Sequence, residues 1–321
     1  MDSIMREKIE ELKALVEKSE VIYISSHVRP DGDSIGSLLG LGKGLLKQYP
    51  EKKIMLRLKD EVPSYLGFLD VSLVKQTDVY EEKGILLALD CGDKSRIGID
   101  GLENIETLVN IDHHMTNPNF GDLNIVLSDA SSTSEIVYDI LHGLGVEIDP
   151  EIAEPIYTGI SMDSGSFKYQ STGARTHEIA AELIRTGFDK EKVVRKLYQS
   201  NTLSEMLLIK ESMERIEFLR DNSIAMLLIT EEILENSGMD IKEVDSIVEI
   251  IRDIDTVELV FVLKPFEDKT KVSIRSKEKY DSSEIAQNFG GGGHMRAAGC
   301  KIDGDMQQAR KLILEAIGEG V

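Results

Sequence analysis

The chain has 321 residues, which is enough for two domains that each bury a hydrophobic core. Its 58 acidic and 37 basic residues give a formal net charge of -21, which opposes non-specific binding of long nucleic acid, so any nucleic-acid substrate should be short and held locally. Two cysteines, no basic-then-apolar leader and no long uncharged apolar run predict a cytoplasmic protein without disulfide scaffolding, secretion or membrane spanning.

Residues 1–190 alternate short β-branched runs with helical patterns, which predicts an α/β fold with a mostly parallel sheet flanked by helices. A helix is expected after Asp33, with Gly40 and Gly44 allowing it to pack closely on the sheet. Another amphipathic helix over 152–160 ends near Asp163. The first region therefore has the organisation of an α/β domain, with helices packed on a mostly parallel sheet.

Side chains that can bind metals follow three predicted strands of this region. Because the carboxyl ends of strands in an open α/β sheet border one crevice, we expect these side chains to lie close together. Oxygen and imidazole ligands without thiolate suit Mn²⁺, Mg²⁺ or Zn²⁺. The side chains are His27, Asp31 and Asp33 after residues 21–24, Asp90 after residues 85–89, and Asp112, His113 and His114 after residues 107–111.

The composition changes beyond residue 190. Residues 191–220 are highly charged and predict a helical connector, and residues 221–321 predict a second, smaller α/β domain. Its expected strands lie at 225–230, 257–263 and 272–274, followed by a glycine run and a closing helix at 307–317. The chain is therefore expected to contain a catalytic domain, a connector and a smaller second domain.

Two divalent ions about 3.5–4 Å apart can generate hydroxide and stabilise the oxygens of an in-line displacement at phosphorus. Such a site needs several carboxylates and a few imidazoles, and no serine or cysteine nucleophile. Cys91, beside Asp90, is interpreted as a small buried residue. A single Asp-His-His triplet would be weak support. The combination of four such segments, with Asp163 as the fourth, indicates a two-metal site.

These motifs resemble the DHH phosphoesterases with a C-terminal DHHA1 domain, as in nanoRNase/pAp phosphatases of the NrnA type and standalone DHH-DHHA1 phosphodiesterases. The resemblance covers nearly the whole chain, in the same motif order. It implies an active site in the cleft between the domains, two divalent ions, most often Mn²⁺ with Mg²⁺ or Co²⁺ as alternatives, and a homodimer. The matching motifs are His27 with Asp31 and Asp33, Asp90, Asp112 to His114, Asp163 and the run from Gly290 to His294.

The resemblance also implies a role for each matching residue. One ion would be held by His27, Asp31 and Asp90, with a water or hydroxide between the ions as nucleophile. Asp90 would bridge to the second ion. Asp112 would orient an imidazole, and His114 would contact the scissile phosphate or protonate the leaving group. The second ion would be held by Asp33, Asp90, His113 and Asp163.

Residues of the second domain are expected to select the substrate. Glycines let a backbone approach a ligand and present N–H groups to a phosphate, and nearby cationic side chains add donors. Arg275 resembles a family position that contacts a terminal phosphate, for which its rigid fork of donors is suited. The expected substrate-binding residues are His114, Arg275, Gly291, Gly292, Gly293, His294 and Arg296.

The sequence leaves the roles of some residues open. Arg96 is interpreted equally well as a substrate contact or as part of a structural salt bridge. The cluster Ser132, Thr133 and Ser134 indicates a helix N-cap first and a phosphate contact second. His142 and His177 are expected to be structural or solvated.

The leading hypothesis is a metal-dependent phosphodiesterase that converts short oligoribonucleotides and linear dinucleotides to mononucleotides, with 3′-phosphoadenosine 5′-phosphate (pAp) as a further substrate. A cyclic di-AMP phosphodiesterase is an alternative that shares the catalytic residues. A non-catalytic nucleotide sensor is a second alternative, against which the intact ligand set speaks. Pyrophosphatases carry a different second domain, and exonucleases of long strands need further nucleic-acid-binding domains. Neither group fits this chain as well.

Overall fold

A computed structural model describes residues 3–318, with the side chain of His294 outside the described part. The described chain divides between Ser200 and Asn201 into two compact units, each built on its own sheet. Each sheet also has its own hydrophobic core. No helix within residues 3–318 is both long and apolar enough to cross a lipid bilayer.

The first unit is built on a sheet whose strand pairings are all parallel within the described residues, which confirms the predicted sheet type. Apolar β-branched and leucine side chains form its strands because both faces of a parallel sheet are buried. The strands are β1 (Val21–Ser26), β2 (Lys53–Leu58), β3 (Val74–Gln76), β4 (Gly84–Leu89), β5 (Ile105–Asp112) and β6 (Leu123–Val126).

The spatial order of these strands is β3-β2-β1-β4-β5-β6. Successive strands are added on one side of β1 and then, from β4 onward, on its other side. Ile24 of β1 pairs with Leu56 of β2 and with Leu87 of β4. The order therefore reverses between β1 and β4, and open α/β sheets bind ligands at such a switch point.

The α-helices cover one face of this sheet, and the irregular stretches on either side of β4 cover the other. Ile22 and Ile24 face the α-helices, whereas Tyr23 faces a cluster with Tyr80, Ile97 and other residues of those stretches. This follows from the alternation of side chains along a strand. The helices are α1 (Ser3–Lys18), α2 (Gly32–Gln48), α3 (Thr133–Gly143), α4 (Pro150–Asp163), α5 (Ala174–Arg185) and α6 (Lys190–Tyr198).

Gly40 and Gly44 allow helices to approach each other, not a helix to approach the sheet. A Cβ at Gly40 would lie 2.4 Å from Ile156 of α4, and a Cβ at Gly44 would lie 2.4 Å from Leu141 of α3. The expectation of close helix-to-sheet packing is therefore wrong for these two residues. The reason is that the side of α2 on which these two glycines lie faces α3 and α4, not the sheet.

The second unit is smaller and also α/β, as predicted. Its strands are β7 (Glu217–Leu219), β8 (Ile224–Leu228), β9 (Leu259–Phe266), β10 (Lys269–Ser276), β11 (Gly292–His294) and β12 (Ala297–Asp303). Its helices are α7 (Leu203–Met213), α8 (Glu231–Ser237), α9 (Ile247–Arg252), α10 (Ser282–Gln287) and α11 (Met306–Ala316).

The second sheet has the order β11-β12-β10-β9-β8-β7, in which β8 and β9 are parallel and the other neighbouring strands are antiparallel. One face packs on α10 and α11, and the other packs on α7, α8 and α9 near β8 and β9. On that second face Lys271 of β10 has Lys264 of β9 and Lys301 of β12 as cross-strand neighbours. This sheet therefore carries a row of lysines.

The segment 191–220, predicted as a connector, contains most of α6 together with α7 and β7. The boundary between the compact units falls inside it, after Ser200. Thr202 caps α7 by accepting a hydrogen bond from the Glu205 backbone at 3.2 Å, and the Glu205 side chain accepts one from the Thr202 N–H. Such a reciprocal capping box fixes where a helix begins.

Candidate metal centre and active site

The turn from β1 to α2 carries three of the predicted ligands. His27 follows β1 directly and is almost fully buried. Asp31 is the N-cap of α2, where its Oδ1 accepts a hydrogen bond from the Ser34 N–H at 3.1 Å. Asp33 lies in the first turn of α2, buried, where the partial positive charge of a helix N-terminus favours a carboxylate.

Asp90 lies at the centre of the site. It follows β4 with a left-handed backbone (φ 57°), which is costly for a non-glycine residue and is typical of positions fixed by function. Its Oδ2 is 3.3 Å from His27 Nε2, and its Oδ1 is 3.7 Å from His113 Nε2. The two oxygens of one carboxylate therefore face two different imidazoles.

His113 joins the remaining carboxylates. Its Nε2 is 3.3 Å from Asp163 Oδ2, at the last residue of α4. Ligand atoms of Asp33, His113 and Asp163 all lie within 4.8 Å of one another, as do those of His27, Asp31 and Asp90. The residues predicted at three strand ends and one helix end are thus brought together into two adjoining groups.

The N-terminus of α3 holds two of these carboxylates. The Thr133 N–H donates to Asp33 Oδ2 at 2.6 Å and the Ser134 N–H donates to Asp33 Oδ1 at 2.9 Å. The Thr133 hydroxyl donates to Asp90 Oδ1 at 3.1 Å. Ser132 is the N-cap, as expected, since its Oγ accepts from the Glu135 N–H. The donors of Thr133 and Ser134 were not predicted to contact carboxylates.

Asp112 orients His114. Its Oδ1 is 2.7 Å from His114 Nδ1, and its Oδ2 accepts a hydrogen bond from Asn117 Nδ2 at 2.5 Å. Asn117 also donates to Asn110 Oδ1 at 2.7 Å and to the Cys91 carbonyl at 3.2 Å. The pair of Asp112 and His114 is thus tied to the turn that carries Asp90. Sequence inspection missed Asn117 because an isolated asparagine after the triplet is not distinctive.

The close carboxylates and imidazoles shift one another's pKa. Burial alone would lower the pKa of His27, but its hydrogen bonds to Asp31 and Asp90 raise it to about 10. Burial also opposes the charge on His113, whose pKa nearby carboxylates, chiefly Asp33, raise to about 9. Burial raises the pKa of Asp163 to about 6. The cluster therefore attracts positive charge strongly, as protons or as metal ions.

Arg96, interpreted from the sequence as a substrate contact or as part of a salt bridge, contacts the candidate ligand His27. Its Nη2 lies 3.0 Å from His27 Nδ1, which is also 2.9 Å from the Val28 carbonyl. A neutral His27 ring can accept from Arg96 or donate to Val28 at this atom, but not both. Metal binding through Nε2 requires the proton on Nδ1, so it selects the bond to Val28.

The donors suit divalent cations. They are carboxylate oxygens and imidazole nitrogens, a set that hard and borderline ions such as Mn²⁺ and Mg²⁺ accept. No cysteine belongs to these groups among the described residues, and Cys91 is buried with the pKa of its thiol raised by that burial. The interpretation of Cys91 as a small buried residue is therefore confirmed.

Two other histidines lie on helices away from these groups. His142 stacks on Tyr138, with ring centroids 6.3 Å apart, and His177 stacks on Phe167, with centroids 5.4 Å apart. Both contacts are ones that a packed or partly solvated histidine makes.

The glycine run of the second unit serves close backbone packing. A Cβ at Gly291 would lie 2.3 Å from the Gly299 carbonyl, and one at Gly293 would lie 2.5 Å from the Ala297 carbonyl. At Gly292 a Cβ would meet no atom within 4 Å. Gly291 and Gly293 are thus required for β11 to pair with β12, whereas Gly292 lies open to an approaching ligand.

A cavity of about 570 Å³ adjoins this run. Gly290, Gly291 and Gly299 line it together with the side chains of Lys269, Lys271 and other residues. Lys301, also in the lining, has its Nζ 3.7 Å from the centroid of the Phe266 ring. The charged residues of the lining are all lysines, of which Lys269 pairs with Asp303 at 2.7 Å and Lys271 with Asp245 at 3.2 Å.

The two arginines predicted to bind substrate have protein partners. Arg275 Nε donates to Glu249 Oε1 at 2.6 Å. Arg296 Nη1 donates to the carbonyls of Tyr280 and Glu278, at 2.8 and 3.1 Å. Arg296 therefore holds the loop before α10. His294 lies in β11, and its side chain is outside the described part.

Two family models match the chain. The model of the DHH family, N-terminal domain, matches residues 21–160, which contain β1 to β6 and most of the metal-binding groups. The DHHA1 domain matches residues 223–319, which contain the glycine run. The order of the two matches is that of the two compact units.

Curated relatives match over most of their length. A bifunctional oligoribonuclease and PAP phosphatase NrnA from Thermus thermophilus is 35% identical over 302 residues, covering 93% of this chain and 89% of the relative. A protein of the same name from Bacillus subtilis is 31% identical over 295 residues, covering 91% of this chain and 92% of the relative.

A solved structure resembles the whole fold. The crystal structure of an exopolyphosphatase-related protein from Bacteroides fragilis superposes with a TM-score of 0.88 at 27% identity, covering 98% of this chain and 96% of that one. The order of elements described above is therefore shared along nearly the entire chain.

Proposed function

Because the chain belongs to the DHH-DHHA1 phosphoesterase family and is a metal-dependent phosphoesterase, we propose that it hydrolyses short oligoribonucleotides and linear dinucleotides such as pApA to mononucleotides. The position of Asp90 carries this proposal. One carboxylate faces His27 at 3.3 Å and His113 at 3.7 Å, which is what a ligand shared by two cations requires. Two-cation sites of this kind are typical of phosphoryl-transfer enzymes.

The ligand assignment follows the two adjoining groups. His27, Asp31 and Asp90 would hold one cation. Asp33, His113 and Asp163 would hold the other, and Asp90 would contribute to both. When bound, the cations lower the pKa of water and neutralise charge on the phosphate, and Mn²⁺ is the proposed physiological ion.

His114 handles the proton of the leaving group. Asp112 holds its Nδ1 at 2.7 Å, which fixes the ring orientation and favours the proton on Nδ1. Burial alone would raise the pKa of Asp112, but the hydrogen bond with His114 helps lower it, so the carboxylate stays charged and holds the ring in place. The other ring nitrogen contacts the phosphate.

The second unit supplies selectivity. The proposed domains are residues 1–190 for catalysis, 191–220 as connector and 221–321 for substrate binding. Gly292 has open space above it, and the adjoining cavity is lined by lysines. A phosphate or base at the end of a short chain binds there, with Arg275 and His294 as further donors. In a long strand most phosphodiesters have no chain end beside them that could bind there, so short chains are preferred.

A second activity, removal of phosphate from pAp, is favoured by the relatives. Both carry the words oligoribonuclease and PAP phosphatase in their names and cover about nine-tenths of this chain. The same cations and His114 can act on a terminal phosphate, since only the leaving group differs. The proposed compartment is the cytoplasm, since both cysteines are free thiols.

Product analysis tests the proposal directly. The protein is incubated with Mn²⁺ and, separately, with pApA, RNAs of two to seven residues, pAp, cyclic di-AMP and pyrophosphate. Mononucleotides are expected to appear fastest from the shortest RNAs, with slower release of phosphate from pAp. A faster reaction with cyclic di-AMP than with pApA would favour the cyclic dinucleotide as substrate instead.

Asp90→Asn connects that activity to the site. It is expected to abolish turnover and to reduce the bound manganese measured by metal analysis, because one shared ligand is lost. Asp268→Asn, at an exposed turn of the second unit, is the matched control and should keep both properties. Full activity of Asp90→Asn, or no turnover of any nucleotide by the wild type, would refute the proposal.

A further inference from the structure

A cavity of about 500 Å³ lies in the first unit, between the turn after β2 and α6. Tyr65 and Phe68 line it from the turn, and Lys192 and Lys196 line it from the helix. Its volume is within the range of about 300–1,000 Å³ usual for small-molecule sites. None of its described lining residues is acidic, unlike the cavity at the opposite edge of the sheet, whose lysines are accompanied by Glu20 and Glu106.

One wall of this cavity is held against the helix that carries Asp163. The Tyr198 hydroxyl at the end of α6 donates to the Ser161 carbonyl at 2.8 Å, and Ser161 is two residues before Asp163 on α4. In the other wall, burial and then the charge of the Asp31 carboxylate raise the pKa of Tyr65 to about 12. The cavity therefore adjoins the helix whose last residue is a candidate metal ligand.

The two lysines differ in their partners. Lys192 Nζ donates to Glu154 Oε1 at 2.8 Å and lies 5.8 Å from the centroid of the Phe68 ring. Lys196, one helical turn later on the same face, is exposed, and no acidic side chain lies within ion-pair distance of it in residues 3–318. An unneutralised lysine in a chain of net charge -21 is placed to bind an anion.

Tyr65 offers a flat apolar surface in the same cavity. Its side chain is 47% exposed although it is aromatic, and no aromatic partner stacks on it among the described residues. Bases of single-stranded nucleic acids stack on exposed aromatic rings of this kind. A stacking ring and an unpaired cation in one cavity are the two recognition elements of a nucleotide.

We propose that this cavity binds the nucleotide that follows the hydrolysed phosphate, with its base on the Tyr65 ring and its next phosphate on Lys196. The inference rests on the proposed function, because it extends a substrate whose reacting phosphate lies at the metal centre. It assigns the discrimination between dinucleotides and trinucleotides to this cavity. A trinucleotide has a phosphate for Lys196, whereas pApA ends before that position.

The length dependence gives the first test. In Lys196→Ala, the ratio of kcat/KM for pApApA to kcat/KM for pApA should fall about tenfold, which corresponds to one charge-assisted hydrogen bond of about 1.4 kcal/mol. Lys190→Ala, at an exposed position on the same helix outside the cavity, is the matched control and should keep the wild-type ratio. An unchanged ratio in Lys196→Ala overturns the role of this lysine.

The ring gives the second test. Tyr65→Phe should keep kcat/KM for both nucleotides, and Tyr65→Ala should lower both about tenfold through a higher KM. The affinity of Tyr65→Ala for Mn²⁺ should stay at the wild-type value, which separates stacking from damage to the Asp31 side of the site. Loss of activity in Tyr65→Phe, or an equal loss of Mn²⁺ affinity in Tyr65→Ala, contradicts the stacking role.

A fluorescence readout separates this inference from the proposed function. The chain has no tryptophan, so Tyr65→Trp introduces a single indole. In stopped-flow mixing with pApApA, its emission should be quenched saturably, whereas Leu312→Trp, on an exposed face of α11, should not respond. Turnover without quenching overturns the inference. Quenching without turnover by any variant or the wild type refutes the proposed function and still supports the cavity.

Discussion

The candidate metal ligands of the first unit lie mostly inside the protein, whereas the lysines beside the glycine run of the second unit lie at its surface. Asp33 and Asp90 are each 2% exposed, and backbone N–H groups and a hydroxyl fix their oxygens. Lys269 and Lys271 of the second unit have side chains about two-fifths exposed on flexible stems. Buried charges of fixed position are suited to stabilising a transition state, and mobile surface charges are suited to binding chains of different length.

This difference predicts different kinetic consequences for substitutions in the two units. Interactions made only in the transition state affect kcat, whereas interactions made equally with the substrate affect KM. Changes at the buried charges of the first unit should therefore lower kcat or metal affinity, and changes at the surface charges of the second unit should raise KM.

Among substitutions that leave every candidate metal ligand in place, Asp112→Asn has the largest expected effect. Removal of the charge that supports His114 should lower kcat by about 10²–10⁴-fold with KM nearly constant, since a positioned general acid contributes about that much. Steady-state kinetics with pApA measures both values. Asp129→Asn, an exposed carboxylate of the same unit, is the control. A change confined to KM would show that the pair of Asp112 and His114 binds substrate without taking part in the chemistry.

The second effect concerns Thr133→Val, which removes the hydroxyl bond to Asp90 at nearly constant volume. Affinity for Mn²⁺ should fall by about 10–100-fold, as is usual when a group that orients a metal ligand is lost. Calorimetric titration of the metal-free protein measures it. Thr116→Val, at an exposed position in the loop after His114, should bind Mn²⁺ as the wild type does. Equal affinities for both variants would exclude a positioning role for Thr133.

The candidate ligands could be located from the sequence because their residue types carry the chemistry. His27, Asp90 and Asp112 follow apolar runs that are typical of buried parallel strands, and the structure has strand ends at those positions. The donors at Thr133 and Ser134 could not be found in this way. Any residue supplies a backbone N–H, and only the folded position of α3 directs these two at Asp33.

The fold shows the same division. The strands and helices of the first unit follow from periodic patterns, as does the parallel sheet. The residues on either side of β4, among them Tyr80 and Ile97, cover the face of the sheet opposite the α-helices, and their sequence has no periodic pattern that predicts a covering layer. The sequence also predicts the wrong packing partner for Gly40 and Gly44. It shows that these positions lack side chains, but it does not show whether a helix or the sheet packs against them.

The third effect tests the second unit. Arg275→Ala should raise KM for pApA about tenfold with kcat nearly unchanged, which corresponds to the loss of one charge-assisted hydrogen bond to a phosphate. Lys242→Ala, an exposed lysine of the same unit, is the control. The bond from Arg275 to Glu249 makes a further contrast available. If Glu249→Gln leaves KM unchanged while Arg275→Ala raises it, the arginine acts on substrate and not only on Glu249.

The smallest effect is a pH-dependent shift in thermal stability. In the metal-free protein the pKa values of His27 and His113 are raised to about 10 and about 9, so the stabilisation from their positive charge is complete below their unfolded pKa near 6.5 and is lost as pH rises through the raised values.

Metal binding needs both imidazole rings to be neutral, and it needs Asp163, whose pKa is raised to about 6, to be charged. Mn²⁺ must therefore displace protons, and the rise in Tm that it causes should grow by several degrees between about pH 6 and about pH 8.5. Thermal unfolding with Mn²⁺ or with a chelator measures this difference, and His27→Gln should flatten its pH dependence. A Tm increase that is constant over this range would mean that the imidazoles do not release protons to the metal, and the buried cluster would then differ less from the surface charges of the second unit than its geometry implies.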